Sequence, residues 1–232
     1  MKYFYYISKS FSPFYNLALE RALFDYASEE KTILFIWQND NTIVIGKNQN
    51  IFSECLVDEF CSSGGRIARR LSGGGAVYHD KGNLNISIIS TKMNNINFSA
   101  DLIIILENLG IHSCSSDKND IVVDNKKISG SASYSDGKIV CHHCTLLIKT
   151  NINIMKRYLT PSASKLNRNG VKSIESRVMN LVDVKPSLTI FAFKKALITH
   201  FEASPLSKTI NKKTITSFME KFSSNEWIFK GK

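Results

Sequence analysis

Apolar residues follow two different periods along this chain, and the change between them falls about two thirds of the way along. Before Asn151 the apolar runs are short and bounded by polar or glycine clusters, as strands are; after it they take helical spacing. Residues 3–8 read as a strand with aromatic content. Ser12-Pro13 then offers a capping hydroxyl and a proline for the first helical position, which predicts a helix from Phe14 through Tyr26. Residues 33–37 and 42–46 are apolar runs joined by the polar segment Gln38-Asn-Asp-Asn41, and this predicts a hairpin. Residues 53–63 predict a helix that ends at Gly64-Gly65, with Cys55 and Cys61 as packing residues on it. A basic strand reaches Arg70, the segment Leu71-Ser-Gly-Gly-Gly75 follows, and residues 76–79 form a strand before a turn at 80–83. Residues 84–89 alternate as a strand should, and 101–109 predict a helix stopped by Gly110. Residues 121–123 and 127–129 flank a two-residue turn at Asn125-Lys126 or its near equivalent, and 140–148 form a further strand. Residues 153–158, 188–201 and 212–222 read as helices. No repeat, low-complexity tract or long linker divides the chain, so one α+β domain over residues 1–232 is expected, helical from about residue 151.

Composition narrows the class. At 43% hydrophobic and 22% charged over 232 residues, the chain has the apolar content to fill a core, which excludes whole-chain disorder. The longest purely apolar run, residues 102–106, is far short of the ~20 residues a membrane-spanning helix needs. The N-terminal stretch is interrupted by Ser8 and Lys9 and has no small-residue cleavage site, so it does not read as a secretion signal. Five cysteines, an odd number at irregular spacing, do not make a disulfide framework. A cytoplasmic protein without a membrane partner is expected. The 30 Lys and Arg against 20 Asp and Glu give a charge of +10, which favours anionic partners. The basic residues are scattered, with no arginine-rich arm or basic helix, so nucleic acid is not an expected partner.

Three segments carry candidate chemistry. In Arg69-Arg70-Leu-Ser72-Gly73-Gly74-Gly75-Ala-Val77-Tyr78-His79-Asp80-Lys-Gly-Asn83, consecutive glycines after a strand let backbone N–H groups approach an anion. The arginines before them suit phosphate or carboxylate. Three glycines alone read as a hairpin loop; with Arg-Arg before and His-Asp-x-Gly-Asn after, the reading is an anion site. It is neither a Walker loop nor a dinucleotide fingerprint. The second segment is Asn119-Asp120, then Lys127-Ile-Ser-Gly130-Ser-Ala132, where small neighbours leave room for a ligand beside an ammonium. Taken alone, it reads better as a hairpin with an exposed edge lysine. The third is Cys141-His142-His143-Cys144. On a strand, Cys141 and His143 face one way and His142 and Cys144 the other, so four adjacent residues do not close a zinc tetrahedron.

In this order and spacing, the three segments resemble the lipoate–protein ligase A family, which is related in fold to the biotin–protein ligases. The resemblance rests on Arg69 to Asn83, Asn119-Asp120 and Lys127 to Ala132, with lesser matches at Phe14-Tyr-Asn-Leu-Ala-Leu-Glu20, Trp37, 42–46 and 170–180. It implies mixed and antiparallel sheets flanked by helices. It also implies a two-step reaction, in which ATP activates lipoate as lipoyl-adenylate and a lysine of a lipoyl domain then takes the acyl group. Lys127 matches the family's catalytic lysine. Arg69, Arg70, Ser72, Gly73, Gly74, Gly75, Val77, Tyr78, His79, Asn83, Asn119, Asp120, Lys127, Gly130, Ala132 and His143 are implied to hold ATP and the adenylate. Trp37, Gly75 and Val77, with Tyr78, are the candidates for a lipoyl slot, and Asp120 for Mg²⁺ through phosphate. The implied acceptors are apo lipoyl domains of 2-oxoacid dehydrogenase E2 subunits and of the glycine cleavage H protein.

Two departures from the family pattern matter. Cys144 stands where the family usually has glycine, which puts a sulfur where the pocket would be narrowed. Two-domain members carry a smaller C-terminal domain after the stretch matching Glu226-Trp227, whereas this sequence stops at Lys232; the resemblance leaves open a catalytic part of a longer protein, a separate accessory adenylation subunit as partner, or a protein that works without one. The competing readings are an octanoyl or lipoyl acyltransferase working through a cysteine thioester, with Cys114 its candidate, and a non-catalytic basic binding protein.

Overall fold

The computed structural model describes residues 1–94, 96–116, 120–159 and 178–230. Asn119 and residues 170–177 of the lesser match therefore lie outside the described residues. An eight-stranded sheet has the order Ser204–Pro205, Lys2–Ile7, Lys31–Trp37, Asn83–Thr91, Ile139–Leu147, Lys126–Ser135, Asp120–Val123, Cys114–Ser115, and a three-stranded sheet the order Arg66–Arg69, Thr42–Ile45, Val77–His79. In chain order these are β1 (Lys2–Ile7), β2 (Lys31–Trp37), β3 (Thr42–Ile45), β4 (Arg66–Arg69), β5 (Val77–His79) and β6 (Asn83–Thr91). They continue with β7 (Cys114–Ser115), β8 (Asp120–Val123), β9 (Lys126–Ser135), β10 (Ile139–Leu147) and β11 (Ser204–Pro205). Helices α1 (Pro13–Ala22), α2 (Val57–Ser62), α3 (Phe98–Asn108) and α4 (Ile152–Tyr158) precede helices at Leu181–Val184, Ile190–His200, Lys212–Ser223 and Asn225–Ile228. Mixed sheets with flanking helices make this an α+β fold.

Alternation along the strands sorts side chains between two cores. On β2, Leu34 and Ile36 join α3 and helix Ile190–His200 in one cluster; Ile33, Phe35 and Trp37 join α1 and helix Lys212–Ser223 in the other. On β10, Cys144 and Leu146 belong to the first cluster and Cys141 to the second, which sets His143 on the α1 face with Cys141. The small sheet has its own core, including Ile43, Ile45, Ile67, Phe60 and Tyr78.

The expected hairpin over 33–46 does not form. β2 lies inside the large sheet between β1, parallel, and β6, antiparallel, while β3 pairs with β4 and β5 in the small sheet. Both runs are buried almost throughout, and a hairpin on its own would leave their faces uncovered. The polar link instead carries the chain between sheets, anchored where Asn16 Nδ2 donates to Gln38 O (2.8 Å) and Asn39 Oδ1 (3.0 Å). The helix expected over 53–63 is shorter: Cys55 precedes it in a bridge to Leu159, and Cys61 is exposed rather than packed. The β8–β9 turn centres one residue earlier than expected, on Asp124 and Asn125, whose φ values of 49° and 60° suit a two-residue hairpin turn. Ser12 caps α1 ahead of Pro13, and Gly110 (φ 73°) follows α3, both as the sequence indicates.

Candidate active site

A cavity of about 440 Å³ opens between α1, the small sheet and the β6, β8, β9 and β10 strands. It is lined by Trp37, Arg70, Gly74, Gly75, Val77, His79, Asp120, Lys127, Gly130, Ala132 and His143, so the three sequence segments meet there. Two larger grooves, of about 630 and 770 Å³, lie elsewhere on the surface and include none of these residues.

Lys127 is held from several directions. Its ammonium pairs with Asp120 Oδ1 at 2.9 Å. Its backbone pairs with Val122 on one side, and on the other its carbonyl accepts from Met179 N (3.0 Å). Gly130 leaves room for the ammonium here, because a Cβ on it would stand 2.6 Å from Lys127 Nζ and displace it. Asp120 Oδ1 is also beside Gly130, so the carboxylate, the ammonium and the bare backbone form one unit.

Across the cavity, Arg70 shapes the glycine loop. Its Nη2 donates to Gly73 O (2.7 Å) and Gly75 O (2.8 Å), Nη1 to Val44 O (3.0 Å), and Nε to Ser72 Oγ (3.0 Å). Gly74 needs its φ of 88°, and Gly46 must lack a Cβ because one would fall 2.0 Å from Gly74 O. Burial pulls the Arg70 guanidinium down to about 10, opposed by the carboxylates of Glu20 and Glu54, so it remains charged at neutral pH.

Beneath the pocket lies a buried polar network. His143 Nε2 faces Ser72 Oγ at 2.7 Å and its Nδ1 faces Glu20 Oε1 at 2.9 Å. Glu20 also accepts from Ser87 Oγ (2.6 Å) and Tyr134 OH (3.3 Å), and Ser87 Oγ accepts from Trp37 Nε1 (3.0 Å). Burial alone would raise the Glu20 carboxyl; the charge of His143 and hydrogen bonds from His143, Ser87 and Tyr134 outweigh it and hold the carboxyl below its ordinary range. In the sequence Glu20 stands only as the end of a lesser match and has no role assigned. Its signal is an acid on the buried face of α1, beside Leu17 and the buried Asn16. His79 lies at another wall, where its Nδ1 accepts from Asn39 Nδ2 (3.1 Å) and its buried Nε2 has no partner among the described residues. Asn85 Nδ2 is 3.5 Å from the same Nδ1, and Asn83 donates to Asn85 Oδ1 (3.0 Å).

The structure redistributes several expected ligand residues. Arg69 is fully buried and spends its guanidinium on backbone carbonyls: Gly46, Lys47, Gln49, Trp227, Ile228 and Lys230. An arginine on a strand must point opposite to its neighbour, so Arg69 and Arg70 do not share the pocket. Tyr78 likewise turns into the small-sheet core, edge-on to Phe60, and donates to Asn41 Oδ1 (3.3 Å). Ser72, Gly73 and Asn83 act behind the lining, through Arg70, His143 and Asn85. Cys144 reaches the lining, where it stands in place of the family's glycine, and it also belongs to the core cluster of Ile86, Ile128 and Leu146. Burial pushes its thiol up to about 12, against hydrogen bonds to Ser129 and to the Ile86 backbone, and burial also pushes Cys141 well above its ordinary value. Cys114 is exposed on β7 and is not part of the lining, so among the described residues no cysteine is placed as an acyl carrier in this pocket.

Comparison with known proteins agrees with this arrangement. Residues 12–202 match the family model described as lipoyl protein ligase A/B catalytic domain. The chain is 36% identical to "Lipoate-protein ligase A" of Blochmanniella floridana, covering 96% of this chain and 71% of that protein. It is 42% identical to "Lipoate--protein ligase 1" of Plasmodium falciparum, over 73% of this chain and 42% of that protein. Among solved structures, P. falciparum LipL1 in complex with lipoate superposes with a TM-score of 0.81 at 32% identity, covering 99% of this chain and 74% of that one. A bi-partite lipoate protein ligase with its E2 lipoyl domain, from Thermoplasma acidophilum, gives 0.81 at 25% identity, with 98% and 95% covered. The pocket's lysine, its braced glycine loop and these likenesses agree, and the chain belongs to the lipoyl protein ligase A/B catalytic-domain family.

Proposed function

We propose that this chain is the catalytic unit of a lipoate–protein ligase that activates lipoate with ATP and transfers the lipoyl group to a lysine of lipoyl domains. The observation that carries the reading is one pocket lined by Lys127, the Arg70-braced glycines, and the apolar Trp37 and Val77. In the first step a carboxylate oxygen of lipoate attacks the α-phosphorus of ATP, the bond to the β-phosphate oxygen breaks, and pyrophosphate leaves. In the second, the neutral amine of the acceptor lysine attacks the acyl carbon, the bond to AMP breaks, and the amine gives up a proton. Negative charge gathers on oxygens in both steps, and a fixed ammonium stabilises it without reorganising. Lys127 is that group. Arg70 also reaches the lining, and its hydrogen bonds tie the glycine loop to Val44 of β3, so it contributes loop shape and field.

Mg²⁺ fits Asp120, which among the described residues is the carboxylate in the lining and is 23% exposed at its side chain. One carboxylate together with phosphate oxygens is a usual Mg²⁺ environment. The ion would neutralise phosphate charge. The acyl tail is assigned to Trp37, Gly75 and Val77, and Asn119 belongs to the nucleotide side. The acceptors proposed are E2 lipoyl domains and the glycine cleavage H protein. A separate accessory adenylation subunit is also proposed; the Thermoplasma relative is described as bi-partite and 95% of it is covered by this chain. No helix among the described residues is long and apolar enough to cross a membrane, and the proposed compartment is the cytoplasm.

Calorimetric titration with a non-hydrolysable sulfamoyl analogue of lipoyl-adenylate tests this reading without any accessory subunit. The analogue should bind on the order of 10²-fold more tightly than lipoate, because it fills both halves of the site. Failure of the analogue and of lipoate to bind would overturn it.

A further inference from the structure

Two hydrogen-bonded chains begin at different walls of the pocket and end on the same carboxylate, that of Glu20. Donor and acceptor identity fixes the direction where each chain meets Glu20. An indole N–H only donates, so Trp37 Nε1 donates to Ser87 Oγ (3.0 Å), and the Ser87 hydroxyl donates to Glu20 Oε1 (2.6 Å). A guanidinium also only donates, so Arg70 Nε donates to Ser72 Oγ (3.0 Å), which stands 2.7 Å from His143 Nε2. A carboxylate only accepts, so His143 carries a proton on Nδ1, directed at Glu20 Oε1 (2.9 Å). Tyr134 O–H donates to Oε2 (3.3 Å). The hydrogen bonds from Ser87, His143 and Tyr134 all end on Glu20, and only a group that accepts without donating ends these chains together. Glu20 is 2% exposed and stands outside the cavity lining, so it acts on the pocket through these partners.

We infer that Glu20 is the positioning residue that sets two walls of the pocket against each other: Trp37 through Ser87, and the glycine loop through His143, Ser72 and Arg70. The inference goes beyond the ligase reading and rests on it only for its kinetic readout. Arg70 Nη2 holds the Gly73 and Gly75 carbonyls at 2.7 and 2.8 Å, so a change in the Arg70 fork is passed straight to the loop. Loss of the common acceptor therefore disturbs both walls at once, although they stand on different sheets.

The test uses Glu20→Gln and Glu20→Leu, followed by ¹⁵N NMR and by turnover with lipoate, ATP and a lipoyl domain. The Trp37 indole N–H and the Arg70 Nε–H are the reporters. The Trp227 indole, which donates to Arg69 O (2.9 Å) outside this network, is the internal reference. In Glu20→Gln both reporters should shift while Trp227 holds still, and kcat should fall about tenfold, because the amide oxygen serves Ser87 and His143 while its charge is gone. Glu20→Leu should lower kcat on the order of 10²-fold and raise KM for lipoate and ATP together. Both reporters unmoved, or only one of them moved, would overturn the shared-anchor role. A wild-type protein inactive in the same assay would instead sink the ligase reading, with the reporters still deciding the role of Glu20.

Discussion

At the scale of single residues, the site depends on small groups being absent as much as on charges being present. Gly130→Ala places a Cβ 2.6 Å from Lys127 Nζ. The flexible lysine end can move aside, so the fold should survive while transfer from synthetic lipoyl-adenylate falls on the order of tenfold or more, as a misplaced group predicts. Lys127→Ala removes the ammonium itself and should cost on the order of 10²-fold in the same assay with little change in melting temperature. His79 gives a pH signature. Burial, with the charges of Arg70 and His143, pulls it down to about 3, whereas an unfolded histidine titrates near about 6.5. Between those values the unfolded chain takes up a proton that the folded chain refuses, so stability falls as pH drops through that window. From about pH 7 to about pH 5 this amounts to about 2 kcal/mol by linkage, and chemical unfolding should show the loss in wild type and its absence in His79→Leu. His142, half-buried, is shifted the same way, so the difference between the two proteins is what is read. Glu20 is held below its ordinary 4.5, and its stability contribution is lost only at lower pH, outside this interval. Lys127, Gly130 and the glycine loop were legible in the sequence because each lies in a contiguous motif. Glu20 was not, since its meaning comes from His143, 123 positions away, and only packing of α1 on the sheet joins them.

At the scale of elements, the sequence revealed types better than partners. The helices at α1 and α3 followed from their caps, which are local chemistry. The false hairpin and the misassigned Arg69 share a cause: both are settled by what covers a strand from a distance. Arg69 joins β4 to the segment 227–230, whose Trp227 indole returns a hydrogen bond to its carbonyl. The pair of arginines is thus divided by strand alternation into a structural clamp and a loop brace. Arg69→Lys cannot reproduce the fork on Gly46, Gln49 and Ile228, and should destabilise the protein by about 3 kcal/mol or more in chemical unfolding, as a broken buried network does. Unchanged stability would mean that the carbonyls at 227–230 find partners elsewhere.

For the whole molecule, fold class and family were readable because three motifs keep their order and spacing across both sheets. The charge of +10 belongs to this scale as well, since it acts on how a macromolecular substrate arrives. With an acidic lipoyl domain as acceptor, raising salt should increase its KM severalfold and leave KM for lipoate nearly unchanged, because surface charges are screened and a pocket is much less so. The most direct test of the central claim is intact-mass analysis of an apo lipoyl domain incubated with this protein, in one arm with lipoate, ATP and Mg²⁺ and in the other with synthetic lipoyl-adenylate. One lipoyl group should be added in the adenylate arm, with the addition lost in Lys127→Ala, and in the first arm as well where adenylation needs no further subunit. No mass change in either arm would contradict it.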